Sequence, residues 1–104
     1  MAYVRQRAAG WAVHPGEILK EEFLKPMKIS GYALAKAIGV NAQRVSDISL
    51  RKTGVSAEMA LLMARFFGTT PEFWMNLQAA HQLATARKAL KHKIEKVRPR
   101  FHAA

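Results

Sequence analysis

Four residues between positions 31 and 50 constrain the fold more than any other feature of the chain. Ala35 is small enough for two helices to cross closely, and Gly39, four residues later, can take the left-handed conformation of a tight turn. Val45, six residues further on, and Ile48 fall on the inner face of a following helix. This spacing predicts a helix-turn-helix, although by itself it also fits an αα-hairpin without a ligand.

Capping residues and prolines divide the chain into five helices, and no segment alternates like a strand. Pro15 suits the first turn of a helix, and Pro26 is expected to end that helix near Leu24. The last helix is predicted to extend to about Val97, because neither proline nor glycine intervenes before Pro99. Helix-capping side chains begin the other four helices at Ser30, Asn41, Ser56 and Thr70. The sequence therefore predicts an all-α fold with a long C-terminal helix.

Apolar residues at helical spacing predict the core. The first helix presents Ile18, Leu19, Phe23, Leu24 and Met27, and the fourth presents Met59, Leu62, Met63 and Phe66. Trp74 is expected to be buried, since large aromatic side chains dominate the cores of small domains. The alternative is that Trp74 or Met75 faces a dimer partner.

The length of 104 residues fits one domain. Residues 14–84 contain the helix-turn-helix domain. Residues 1–13 show no clear period and are expected to form an N-terminal arm that is partly disordered. Residues 85–104 form a basic helix end and tail, in which seven basic residues and one acid lie between Arg87 and Arg100. A solvated tail and non-specific attraction to phosphates both explain this charge.

The net charge of +10 makes nucleic acid the leading class of partner, because phosphates attract such a chain and counterions are released on binding. A membrane surface is the competing partner, but the sequence has no long hydrophobic span. Cysteine is absent, which excludes disulfides and thiolate chemistry. The short apolar run from Ala8 to Val13 does not fit a signal peptide, so the chain is expected to be cytoplasmic.

The outward edge of the third helix carries the side chains that can contact DNA. Asn41, Gln43 and Arg44 occupy its first turn, the part that enters the major groove in this motif. Glutamine and asparagine can pair with adenine, and arginine with guanine. Asp47 can accept a hydrogen bond from cytosine or orient Arg44, and both readings stay open. Phosphate contacts are assigned to Ser46, Arg51, Lys52 and Thr53.

No cofactor, metal site or catalytic constellation is predicted. The four histidines lack a metal-ligand spacing, and His14, which precedes a helix-start proline, is expected to pack or cap. Paired carboxylates, a glycine-rich phosphate loop and a nucleophile arrangement are missing from the sequence, so the chain is not expected to be an enzyme.

Two further segments resemble a known family. His14-Pro15-Gly16-Glu17-Ile18-Leu19, the helix-turn-helix motif and the segment from Thr70 to Gln78 (TPEFWMNLQ) together resemble the HigA-type antitoxins of the Xre/Cro-like superfamily over about residues 14–84. The resemblance implies a lambda-repressor-like five-helix domain that forms a homodimer on operator DNA. It also implies repression of its own operon and neutralisation of a RelE-like ribonuclease toxin.

One departure from the family pattern follows the third helix. The family usually has Gly-Lys where the chain reverses, whereas this chain has Leu50-Arg51-Lys52 and reaches glycine only at Gly54. Either a non-glycine residue takes the turn, or the helix runs slightly longer.

Three of the seven acids, Glu17, Glu21 and Glu22, lie within the first helix. They either stabilise the helix N-terminus or form a docking face for a basic toxin. Two functional alternatives also remain: a stand-alone or phage-type regulator without a toxin, and a protein-interaction module that no longer binds DNA.

Overall fold

The computed structural model describes residues 13–101, and every regular element in that range is a helix. Helix α1 comprises Pro15–Ile18, a π-helical segment Leu19–Leu24 and Lys25–Met27. The following helices are α2 (Gly31–Ile38), α3 (Ala42–Ser49), α4 (Ala57–Phe67), α5 (Pro71–Ala89) and α6 (Lys91–Lys96). The all-α prediction is confirmed. The predicted N-terminal arm, apart from Val13, and the last three residues of the tail lie outside the described residues.

The prediction that Pro26 ends α1 near Leu24 is wrong. The helix continues to Met27 through the π-helical segment, in which the Lys25 N–H donates to the carbonyl of Lys20, five residues back. In a regular α-helix the ring of Pro26 would meet the carbonyl four residues earlier. A π turn takes up one extra residue and changes that alignment. The chain leaves the helix only at Lys28, whose φ is 55°.

The four predicted N-caps are confirmed. Each capping side chain accepts a hydrogen bond of 2.7–3.2 Å from a backbone N–H two or three residues ahead, in the pairs Ser30–Ala33, Asn41–Gln43, Ser56–Met59 and Thr70–Phe73. Helices α2 and α4 end at Gly39 (φ 76°) and Gly68 (φ 74°), in the left-handed region that favours glycine. The turns before α3 and after α4 are therefore fixed by local chemistry.

The last helix is interrupted, contrary to the prediction of one helix to about Val97. Helix α5 ends at Ala89, and Leu90 (φ −107°, ψ 13°) separates it from α6. Residues 82–101 are exposed throughout, and short helices without packing partners are marginal in water. Neither α5 nor any other helix within residues 13–101 has the length and apolar character to cross a bilayer.

The core forms around Trp74, which is fully buried and donates from Nε1 to Thr69 Oγ1 at 2.9 Å. Its predicted place in the core is confirmed, whereas Met75 is partly exposed. Two predicted core residues face solvent instead: Met27 is 48% exposed and Phe66 is 38% exposed. The buried face of α4 consists of Met59, Ala60, Met63 and Ala64. Ala60 and Ala64 are therefore core residues that the sequence pattern did not predict, and the predicted Leu62 is only half-buried.

Candidate nucleic-acid interface

The α2–turn–α3 unit is a helix-turn-helix with a closely packed inner face. Leu34 and Ala35 of α2 are buried, as are Val45 and Ile48 of α3. The turn is closed by a hydrogen bond of 3.0 Å from the Val40 N–H to the Ala35 carbonyl. The motif predicted from the spacing is confirmed, and its tight crossing directs the opposite side of α3 outward.

The outward edge of α3 is accessible at its first turn. Asn41, Gln43 and Arg44 are exposed, whereas Ser46 and Asp47 are half-buried. Asn41 Oδ1 accepts a hydrogen bond of 2.7 Å from the Gln43 N–H, so this side chain is already engaged as the helix cap. Gln43 and Arg44 are therefore the exposed side chains of this edge that do not cap the helix.

Two carboxylates orient these exposed side chains. Gln43 Nε2 donates to Asp47 Oδ1 at 2.7 Å, and Arg44 Nη2 donates to Glu58 Oε1 at 3.0 Å. One hypothesis from the sequence was that Asp47 orients Arg44. In the structure Arg44 pairs with Glu58 instead, and Asp47 accepts from Gln43. Glu58 lies in the first turn of α4, where an acid signals only a helix start, so its partner could not be read from the sequence. Solvent-exposed ion pairs contribute about 0–1 kcal/mol, so a ligand can displace this one easily.

A non-glycine residue takes the turn after α3, which is one of the two alternatives that the sequence left open. Arg51 has φ 62°, in the left-handed region. Its N–H donates to the Ile48 carbonyl at 3.0 Å, and the Lys52 N–H donates to the Asp47 carbonyl at 2.8 Å. This pair of bonds is a Schellman motif, which satisfies the last carbonyls of the helix. Arg51, Lys52 and Thr53 are exposed and leave α3 in a defined direction.

The start of α1 packs against the end of α3. His14 caps α1, since its Nδ1 accepts a hydrogen bond of 2.8 Å from the Gly16 N–H. The backbone of Gly16 lies directly against the Ile48 carbonyl, so closely that a Cβ at this position would overlap the oxygen. The cap was expected from the sequence, but the contact with α3 was not. Position 16 therefore requires glycine for space.

The His14 side chain is buried, with His81 and Arg51 near it. Its ring packs edge-on against His81 of α5, with ring centroids 4.9 Å apart. Burial lowers the pKa of His14, as do the charges of His81 and Arg51, while a hydrogen bond to the Thr53 backbone and the charge of Glu17 act in the opposite direction. The neutral imidazole, with Nδ1 free to accept, is the form that the structure requires.

The acidic residues of α1 are partly covered and partly paired with a neighbouring base. Glu17, Glu21 and Glu22 are each half-buried. Lys25 Nζ contacts Glu21 Oε2 at 3.0 Å, one helical turn away, so part of this charge is compensated locally. The basic residues between Arg87 and Arg100 are all exposed at the far end of the chain.

Comparison with known proteins identifies the family. A helix-turn-helix family model (HTH_3) matches residues 20–74. The chain is 47% identical to virulence-associated protein I of Dichelobacter nodosus over 72% of this chain and 69% of that protein. It is 40% identical to antitoxin HigA-1 of Vibrio cholerae over 86% of this chain and 84% of that antitoxin. The chain belongs to the HigA-type helix-turn-helix family.

The fold of the HigA-type family is shared as well. The Pseudomonas aeruginosa antitoxin HigA, solved with the higBA promoter, superimposes with a TM-score of 0.83 and 44% identity over 88% of this chain and 100% of that one. The resemblance drawn from the His14–Leu19 and Thr70–Gln78 segments is therefore confirmed. HigA-type proteins are antitoxins and regulators, and the expectation that the chain is not an enzyme agrees with its family.

Proposed function

We propose that this chain binds a palindromic operator duplex as a homodimer, represses its own operon and neutralises a cognate RelE-like ribonuclease toxin. The observation that carries the proposal is the exposed edge of α3, where Gln43 and Arg44 project from a helix anchored by the buried Val45 and Ile48. A HigA antitoxin of the same fold has been solved with promoter DNA, which supports operator DNA as the ligand.

The base contacts are assigned to the N-cap of α3 and to its exposed edge. Gln43 and Arg44 enter the major groove and form hydrogen bonds with base edges. Asn41 contributes from the cap position, where its amide nitrogen stays available as a donor. Asp47 reads a base or, through its hydrogen bond, holds Gln43 in place. These four residues give the complex its sequence preference.

The phosphate contacts are assigned to residues that flank this edge. Arg51, Lys52 and Thr53 follow α3 directly and are exposed, and Ser46 is half-buried on α3 itself. Such contacts fix the position of the protein on the duplex without reading its sequence. The net charge of +10 adds a non-specific attraction that weakens as salt is added.

The homodimer follows from the geometry of operator recognition. Two copies related by a two-fold axis place their α3 helices about 34 Å apart, one helical turn of DNA, which matches successive major grooves. The operator is then a palindrome. Light scattering of the free protein and of its complex tests this point: two copies per duplex are expected, and one copy per full-length site contradicts the dimer.

Binding to the DNA upstream of the chain's own reading frame is the direct test of the proposed function. Fluorescence anisotropy at low salt should show tight binding to this duplex and at least about tenfold weaker binding to a scrambled duplex. If neither duplex binds at low salt, the chain is a protein-interaction module. If only the upstream duplex binds and the adjacent frame encodes no small basic protein, the chain is a stand-alone regulator.

The toxin is proposed to dock on the acidic face of α1. A basic ribonuclease complements Glu17, Glu21 and Glu22, which belong to α1 and not to the helix proposed to enter the groove. The double variant Glu21→Lys/Glu22→Lys should weaken binding of the protein encoded by the adjacent frame and leave operator affinity unchanged. Equal toxin affinity in the variant and the parent contradicts this docking face.

A further inference from the structure

A buried glutamine of α5 holds the loop between α3 and α4 from behind. Gln78 Oε1 accepts a hydrogen bond of 2.6 Å from the backbone N–H of Val55, 23 residues away in sequence. Both residues are buried. A buried N–H that loses its partner costs about 1–3 kcal/mol, so the position of Val55 depends on this side chain. Sequence reasoning used Gln78 only as part of a family motif.

The neighbouring glycine makes room for this contact. A Cβ at Gly54 would lie only 2.5–2.6 Å from the Oε1, Cδ and Nε2 atoms of Gln78. The φ of Gly54 does not lie in the left-handed region, so glycine matters here for the space that it leaves to the Gln78 amide and not for its conformational freedom. The amide of Gln78 therefore lies flat against the backbone of the loop.

The other end of the α3–α4 loop (residues 50–56) is fixed to α3. The N–H groups of Lys52 and Thr53 both donate to the Asp47 carbonyl, at 2.8 and 3.3 Å. The Thr53 backbone also forms a hydrogen bond with the buried His14. Thr53 and Gly54 line a groove of about 230 Å³ together with Arg44 and Asp47. The loop thus connects the edge of α3 to the point at which Gln78 holds the chain.

We infer that Gln78 is a positioning residue for DNA binding: it fixes the α3–α4 loop so that Arg51, Lys52 and Thr53 reach the phosphates while α3 lies in the groove. This inference rests on the proposed function. Gln78 itself is buried and does not touch the ligand. Its effect is transmitted through Val55 and Gly54 to the three exposed residues before them.

The variant Gln78→Met tests this role, since methionine has a similar length and lacks the oxygen acceptor. The plot of log affinity against log salt should become shallower by about 1–2, since each phosphate contact contributes about 0.9. Operator affinity should fall about tenfold. The matched control is Gln82→Met, at an exposed position one turn further along α5, which should change neither quantity. Both variants are measured where circular dichroism shows them folded, because a purely structural role would lower the melting temperature and leave the slope unchanged.

Gly54→Ala provides a second, independent variant. Its methyl group would displace the Gln78 amide, so it should reduce the salt slope by the same amount. The double variant should show no further loss, because the two changes disrupt one contact. If Gln78→Met and Gly54→Ala bind with the parental slope, the inference is overturned while the proposed function stands.

Amide hydrogen exchange tests the loop without DNA. In the parent, the Val55 N–H should be protected, and in Gln78→Met it should lose protection while the amide signals of residues 51–54 shift. Unchanged protection and unchanged signals overturn the inference. This measurement shows whether Gln78 anchors the α3–α4 loop even if the parent binds no duplex. In that case the DNA assay contradicts the proposed function alone.

Discussion

Gly16 at the start of α1 lies directly against the carbonyl oxygen of Ile48 near the end of α3. The contact joins two backbones, with no side chain of Gly16 between them. The distance between the start of α1 and the end of α3 is therefore set by the absence of a side chain at position 16. The His14 cap, which binds the Gly16 N–H, holds this glycine in place.

Replacing Gly16 with alanine should push α1 and α3 apart. Overpacking of this kind destabilises proteins by about 1–3 kcal/mol, and here the obstacle is backbone, which yields less than a flexible side chain. Urea unfolding should show that loss. The control is Gly31→Ala at the start of α2, where a Cβ would meet only Val45 Cγ1 at an ordinary 3.4 Å. Equal stability of Gly16→Ala and Gly31→Ala contradicts the close contact.

Arg51→Gly should raise stability and lower DNA affinity together. A non-glycine residue in the left-handed region is strained by about 1–2 kcal/mol, and glycine relieves part of this at φ 62°. Removing the guanidinium should weaken all duplexes similarly and reduce the salt slope by about 0.9. Thermal unfolding and anisotropy measure the two effects separately.

Lys28 offers a matched control, since it has φ 55° at the end of α1 and is remote in sequence from the α3–α4 loop. Lys28→Gly should raise stability in the same way and lower DNA affinity by less than Arg51→Gly. If both variants lose the same affinity, Arg51 has no special role in phosphate binding.

Local signals account for most of the fold that the sequence predicted. The caps at Ser30 and Asn41 and the glycine at position 39 each act through hydrogen bonds or steric effects within a few residues, and the starts of α2 and α3 and the turn between them were predicted correctly from these residues. Pro26 failed as a stop signal because a π turn absorbed it. Whether α1 continues past Pro26 depends on how the whole helix packs, and a short stretch of sequence does not show this packing.

The sequence predicts the exposed residues of the candidate site but not the residues that hold them in position. Gln43 and Arg44 follow from helical periodicity once Val45 and Ile48 are known to face inward. The partners Glu58 and Gln78 come from helices 14 or more residues away. Their contacts depend on how α4 and α5 pack against α3, and helix packing is not encoded in periodicity.

Arg44→Ala and Lys52→Ala should affect DNA binding in different ways. Loss of a base contact by Arg44 should cost about 1–3 kcal/mol on the operator and relax the preference at one base pair. Loss of a phosphate contact by Lys52 should weaken every duplex similarly. Competition assays with operator, single-base variants and scrambled DNA distinguish the two patterns. Identical losses across all duplexes contradict this assignment of roles.

Stability should depend on the charge of His14. The pKa of this histidine is lowered by burial and by the charges of His81 and Arg51, with Glu17 opposing them. In the unfolded chain its pKa is about 6.5. The unfolded state therefore takes up the proton first as the pH falls, and the folded state, which uses Nδ1 to accept the Gly16 N–H, takes it up later.

The contribution of His14 should be complete above about pH 6.5 and decrease as the pH falls from there towards the lowered folded-state pKa. Urea unfolding between pH 8 and pH 5 measures this decrease. His14→Asn keeps a side chain that can cap the helix but does not titrate, so part of the pH dependence should disappear. His92→Asn, at an exposed position on α6, should retain the parental profile. A His14→Asn profile as steep as that of the parent shows that this histidine does not control acid stability.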